Sequence, residues 1–175
     1  MDIKAKRAKR RKQTAEVFTP PKLVNEMLSK LPNKVWRKNK TFLDPACGDG
    51  NFLICILWKK LSKGHDPIEA LKTVYGLDIM KDNIAECRIR LLKVISLFEE
   101  VSKEHVKIIL TNVRWLSKKW ANGSLGYDMS FKANYNQAGV DRCYDIYMAA
   151  EEVLLDMPVK DRDVPEKLID MFGVE

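Results

Sequence analysis

The sequence predicts an α/β fold in which a doubly wound, mostly parallel sheet carries helices on both faces. Three observations predict it. Short apolar segments alternate with helix-period segments along the chain, as in successive β-α-β units. One apolar segment runs into a loop with two glycines and then into a helix, the place where such sheets bind ligands. A length of 175 residues, 46% of them hydrophobic and 31% charged, makes one domain with a real core and leaves no space for a second.

The elements follow in order. Thr19 stands as N-cap and Pro20 as first residue of a helix whose Val24, Met27, Leu28 and Leu31 fall at i, i+3, i+4 and i+7, with Pro32 and Asn33 as its stop. Thr41-Phe42-Leu43 is a short buried strand that runs into Asp44. A helix begins after Asn51, and its stretch from Phe52 to Trp58 is apolar almost all round, which suits burial on most sides. Asp66, Pro67 and Glu69 open a short helix through Leu71 in the manner of a capping box. Thr73 to Leu77 is the second strand and ends at Asp78. Asp82 caps a longer helix with Ile84, Cys87, Leu91, Ile95 and Phe98 on one face. Val106 to Leu110 is the third strand and Tyr127 to Phe131 the fourth. A last helix, from Asp141 to Met157, turns Tyr144, Met148 and Leu155 to one side and stops at Pro158.

The formal net charge of +7 is concentrated at one end. Lys4, Lys6, Arg7, Lys9, Arg10, Arg11 and Lys12 face only Asp2, so the first twelve residues hold a net +6. Residues 1–13 therefore read as a basic flexible tail and residues 14–175 as the folded domain. A tail of this kind neutralises phosphates and favours nucleic acid without reading its sequence, or it is a solvated terminus that aids solubility. Four cysteines without a C-x-x-C pair, and only two histidines, argue against a structural zinc site, so no metal is expected. No apolar run approaches the roughly 18 residues of a membrane span, and the basic N-terminus lacks the apolar core of a signal peptide. A soluble, cytoplasmic protein without a membrane partner is expected.

The chemistry concentrates in Asp44-Pro45-Ala46-Cys47-Gly48-Asp49-Gly50-Asn51-Phe52. Gly48 and Gly50 let the backbone turn sharply and approach a ligand with no Cβ in the way. Asp78 closes the following strand, where a carboxylate can accept from both hydroxyls of a ribose. A nicotinamide dinucleotide needs a third glycine for its pyrophosphate, and that place is Leu53. S-adenosylmethionine has no pyrophosphate and carries an ammonium, which suits a loop holding Asp44 and Asp49. The pocket is framed by Gly48, Gly50 and Asp78.

Phe18-Thr19-Pro20-Pro21, then Leu43 to Phe52, then Gly76-Leu77-Asp78-Ile79-Met80 resemble the opening motifs of bacterial and phage adenine-N6 DNA methyltransferases, over about half the chain. The resemblance implies a Rossmann-like methyltransferase fold, S-adenosylmethionine as cofactor, DNA as partner and a setting in restriction and modification. It implies that Phe18, Thr19 and Pro20 close over the methionine end of the cofactor. Asp44, Ala46, Gly48 and Phe52 would hold its amino-acid part, Asp78 its ribose and Ile79 its adenine. Asn112 stands where the family carries an acid near the adenine amino group.

The family's catalytic Asn/Asp-Pro-Pro-aromatic sequence is absent. Lys132-Ala133-Asn134-Tyr135 occupies its place, so the candidate catalytic residues are Asn134, whose amide can accept from a target amino group, and Tyr135, which can stack on a flipped base. The bland alternative is a surface turn. The chain is expected to stop short of the remaining strands of a complete sheet and of any DNA-reading domain, so sequence specificity is expected to be absent or supplied by a protein partner. Arg114, Trp115, Lys118, Lys119 and Trp120 interleave charge and aromatic rings, as a single-strand binding surface or as a loop packed by two tryptophans. Two readings stay open: a methyltransferase, alone or completed by another chain, and a cofactor- and nucleic-acid-binding module that no longer transfers methyl groups.

Overall fold

A computed structural model of the chain describes residues 17–116 and 135–155, together with Ala8, Lys9 and Lys12. The expected fourth strand at Tyr127 to Phe131, Asn134, Lys118, Lys119, Trp120 and the end of the last helix at Met157 lie outside the described residues, as do Lys4, Lys6, Arg7, Arg10 and Arg11.

Helix α1 (Pro21–Ser29) is followed by a 3-10 turn at Asn33–Trp36, strand β1 (Phe42–Asp44), helices α2 (Asn51–Ser62) and α3 (Pro67–Leu71), and strand β2 (Val74–Asp78). Helices α4 (Lys81–Ser96) and α5 (Lys103–Asn112), strand β3 (Val113–Trp115) and helix α6 (Gln137–Leu155) complete the described elements. The three strands form one parallel sheet in the order β1-β2-β3, with Asp44 opposite Gly76 and Asp78 opposite Trp115. This is the expected α/β arrangement with a small sheet. Parallel neighbours need crossovers, which α2 with α3 and α4 with α5 supply.

Helix α2 packs on β1 and β2, α4 on β2 and β3, α1 on α2, and α6 on α4 and α5. The core sits between them, with Leu53, Leu57, Ile84, Leu91, Ile95 and Ile109 buried. Gly76 lets α2 come close: an added Cβ there would lie 2.5 Å from Leu53 Cδ1. Asp66 Oδ1 accepts from the Glu69 N–H at 2.9 Å, the expected cap of the short helix.

Several expectations need correction. Strand β1 is Phe42–Asp44 rather than Thr41 to Leu43 and only partly buried, with Leu43 exposed; on α1 Met27 is exposed and Leu31 lies past the end; and α6 starts at Gln137, ahead of Asp141. Helix α1 has Pro20 as its N-cap and Pro21 inside its first turn, one residue later than Thr19 and Pro20. Met80, not Asp82, caps α4, and Phe98 lies past its end and is exposed while Ile84, Cys87, Leu91 and Ile95 are buried. Val106 to Leu110 is helical. The Ser102 N–H donates to His105 Nδ1 at 3.0 Å and starts α5, which then buries His105, Val106, Ile109 and Asn112 at helical spacing. A run of β-branched residues is ambiguous by periodicity, and the N-terminal cap decides it. On α6 the buried side is centred on Val140 and Tyr147, with Tyr144 partly covered and Met148 exposed.

Lys60 is buried in α2. Its ammonium donates to Lys40 O at 2.6 Å and to Thr73 Oγ1, and burial pushes its pKa down to about 8. Among the described residues no helix is long and apolar enough to cross a membrane, and no three His, Cys, Asp or Glu side chains group as metal ligands.

Candidate functional site

The candidate cleft lies where β1 and β2 end side by side. β1 closes on Asp44, and the chain turns through Pro45 to Gly50 into α2. The turn requires Gly48 and Gly50, which take φ of 54° and 97°, a region costly for any residue with a Cβ. At Gly50 an added Cβ would also lie 2.6 Å from Cys87 Sγ. β2 brings Asp78 to the same end, where Oδ2 accepts from the Gly48 N–H at 3.0 Å and Oδ1 from the Met80 N–H at 2.6 Å. The segment before α1 forms the facing wall. Asn51 Nδ2 donates to Thr19 O at 2.9 Å, and the Phe18 ring edge lies 3.1 Å from where a Gly48 Cβ would stand. Phe18, Thr19, Asp44, Gly48, Gly50 and Asp78 thus meet at one end of the sheet.

Two carboxylates share that end. Burial raises the Asp44 carboxyl above its ordinary value; the Ala46 N–H on Oδ1, at 3.1 Å, opposes the shift, and the Asp78 charge adds to it. Among the described residues no Lys, Arg or His pairs with either acid. Two oxygens offer about four acceptor sites, so Asp78 keeps capacity beyond its two backbone bonds. A glycine cradle beside two carboxylates that no described cation pairs with suits a cationic ligand with hydroxyl groups and disfavours a phosphate.

Asp49 contributes nothing to that charge. It is 5% exposed, its Oδ1 lies 3.0 Å from Arg90 Nη1, and Arg90 also donates to Asp49 O at 2.8 Å. The expectation that Asp49 offers its carboxylate to a ligand ammonium is therefore corrected: Arg90, itself 3% exposed on α4, takes it. Cys47 is no nucleophile either. The Cys87 thiol beside it and burial hold its pKa far above the ordinary value, so it stays a packed thiol.

The remaining site residues divide. Pro20 and Ala46 are exposed at the cleft's edge, and Phe52 is partly buried against the core. Ile79 is 49% exposed just past Asp78, and its carbonyl accepts from Trp115 Nε1 at 2.9 Å. Lys81 Nζ lies 4.3 Å from the centre of the Trp115 ring. Ile79 and Trp115 are thus both exposed beside Asp78, the indole ring carrying the Lys81 ammonium over it.

Asn112 is not at this end. It is the last residue of α5, buried, with Nδ2 donating to Leu71 O at 3.2 Å. The sequence reading ended the third strand at Leu110 and so put Asn112 just beyond it, whereas the place opposite Asp78 belongs to Trp115. The Ser102-x-x-His105 start of α5 is the signal that separates the two. Tyr135 is partly buried and lines a groove with Arg88, Ile89 and Leu110 that none of the cleft residues lines. Of the tail cations, Lys9 and Lys12 are described, and both are exposed.

A family model described as N-6 DNA Methylase matches residues 3–148. No curated protein and no solved structure matches the chain.

Proposed function

The chain belongs to the N-6 DNA methylase family, and from that premise we propose that it binds S-adenosylmethionine in the cleft at the ends of β1 and β2 and serves a DNA adenine-N6 methyltransferase as its donor-binding unit. The observation that carries the reading is the pair Asp44 and Asp78, adjacent and without a cationic partner among the described residues, beside the Gly48–Gly50 turn. The cofactor supplies an activated methyl group on a sulfonium and brings an ammonium with it. The protein's part is to bind and orient. Asp44 offers charge to the ammonium, Asp78 accepts from ribose hydroxyls while holding the Gly48 N–H, and Ile79 packs against the adenine. Phe18 and Thr19, tied to the loop through Asn51, exclude water from the donor end.

DNA is the proposed substrate, held without sequence preference by the basic tail. Methyl transfer is proposed to need a second chain, because the asparagine and paired prolines that rigidly aim a target base are replaced by Lys132-Ala133-Asn134-Tyr135, and Tyr135 lines a groove away from the cleft. The second reading, a binding module without transfer, rests on the same replacement. One experiment separates them: labelled S-adenosylmethionine is incubated with the full chain and mixed DNA, and bound cofactor and methyl incorporation are counted separately. Cofactor retention without incorporation, rescued by a partner subunit, fits the proposal. Retention that no partner converts to incorporation leaves the binding module, and no retention removes both readings.

A further inference from the structure

A second concavity, of about 800 Å³, lies between α4, the end of α5 and the start of α6. Ile89 and Leu110 belong to its lining, Ile146 joins them from α6 and is 50% exposed, and Tyr135 adds an aromatic ring. Among the described residues no acid lines it, but two arginines do. Arg88 is half-buried, and its Nε and Nη2 both donate to Val113 O, at 3.0 and 2.7 Å. That leaves the other terminal nitrogen of the fork without a protein acceptor among the described residues. Burial pushes the Arg88 pKa below its ordinary value, with Arg114 adding to the shift and neighbouring thiols, Cys143 first, opposing it. Arg142 is exposed and makes no hydrogen bond or ion pair among the described residues. Two acids of α6 are drawn elsewhere, Asp141 to Lys103 at 2.7 Å and Asp145 toward the same lysine.

A half-buried guanidinium without an anion is an unfavourable arrangement that a bound anion relieves. Guanidinium forks match phosphate oxygens in pairs, and an aliphatic floor with a tyrosine ring accepts the flat face of a base. A net charge of +7 also draws polyanions toward the chain. We infer that this groove is a second ligand site, for a nucleoside phosphate, with the phosphate on Arg88 and Arg142 and the base against Ile89, Leu110 and Ile146. The ligand is either a free nucleotide or an unpaired nucleotide of a strand. The site is separate from the donor cleft, so each can fail alone.

The test titrates the full chain by calorimetry with thymidine monophosphate, thymidine, inorganic phosphate and a short oligothymidylate, with and without saturating S-adenosylmethionine. The monophosphate is expected to bind better than thymidine or phosphate alone, and S-adenosylmethionine is expected not to compete. Arg142→Glu and Ile146→Asp, both at exposed positions, are each expected to weaken binding by about tenfold or more. Lys12→Glu, the same charge change on the tail, is expected to leave monophosphate binding unaltered. Tighter binding of the oligomer with the same two sensitivities identifies a strand as the source, and equal binding a free nucleotide. Nucleotide binding indifferent to both groove variants, equal loss on Lys12→Glu, or binding of a glutamate- and leucine-rich peptide where no nucleotide binds overturns the assignment.

Discussion

Asp44 and Asp49 stand in one loop between the same strand and the same helix, yet they do opposite things. Asp49 turns inward to Arg90 and becomes part of the core, a buried ion pair fixing the loop to α4. Asp44 stays at the cleft with Asp78 as neighbour and no cation among the described residues to balance it, a disposition in which each carboxylate opposes the charge of the other. The difference comes from a partner 41 residues away in the chain, not from the residues around either acid. A carboxylate's job in such a loop is set by where the next crossover helix puts its arginine.

The comparison breaks most visibly if the buried pair is cut. Arg90→Leu leaves Asp49 buried without its cation and is expected to cost about 3–5 kcal/mol of stability by chemical denaturation. Adding Asp49→Asn should restore much of that loss, since it removes the stranded charge. Equal stability of wild type and Arg90→Leu would make the pair a bystander. On the cleft side, Asp78→Ala should weaken S-adenosylmethionine by roughly 1–3 kcal/mol in an equilibrium titration, the scale of a charged hydrogen bond left unmade. Unchanged affinity would remove Asp78 from the ligand's contacts.

Lys60 supplies a third case, a buried charge with only neutral oxygens for company. The unfolded chain holds this proton up to about pH 10.5, the folded chain only to about 8. Between those values the unfolded state binds more protons, so the contribution of Lys60 to stability rises with pH, by at most about 1.4 kcal/mol per unit. Denaturation midpoints of wild type and Lys60→Met, followed from pH 7.5 to 10.5, should converge or cross as the wild type gains; parallel curves would deny the shift.

The smallest effect belongs to Asp44. Its folded pKa is raised, so the folded state holds the proton more tightly, and stability from this group is present at low pH and lost as pH climbs through the folded value. Asp44→Asn, which keeps an oxygen for the Ala46 N–H, should therefore be slightly more stable than wild type at neutral pH while binding S-adenosylmethionine less well. A variant weaker in both respects would place Asp44 with Asp49 as a structural acid.

Much of the cleft was legible because its signals are local. Gly48 and Gly50 announce a turn that only glycine makes, Asp66 caps what its spacing promises, and Asp78 ends a strand readable from Val74 and Leu77. What stayed hidden depends on distance. Nothing near Asp49 names Arg90, and nothing near Val106 forbids a strand until Ser102 and His105 are read together as a helix start. That one misread element displaced the third strand and with it Asn112, while Trp115, at the proper end, was visible only as one aromatic in a basic stretch.

Gly76 and Gly50 carry a mechanical meaning. Helix α2 meets β2 at Gly76 with no space for a methyl group, and the loop meets Cys87 of α4 at Gly50 just as closely, so sheet, loop and both helices share one rigid seam. The strap ahead of α1 meets the same seam, through the Asn51 amide on Thr19 O and the edge of the Phe18 ring against Gly48. A side chain added at Gly50 or Gly76 is therefore felt across this whole end of the sheet, from α4 to the strap.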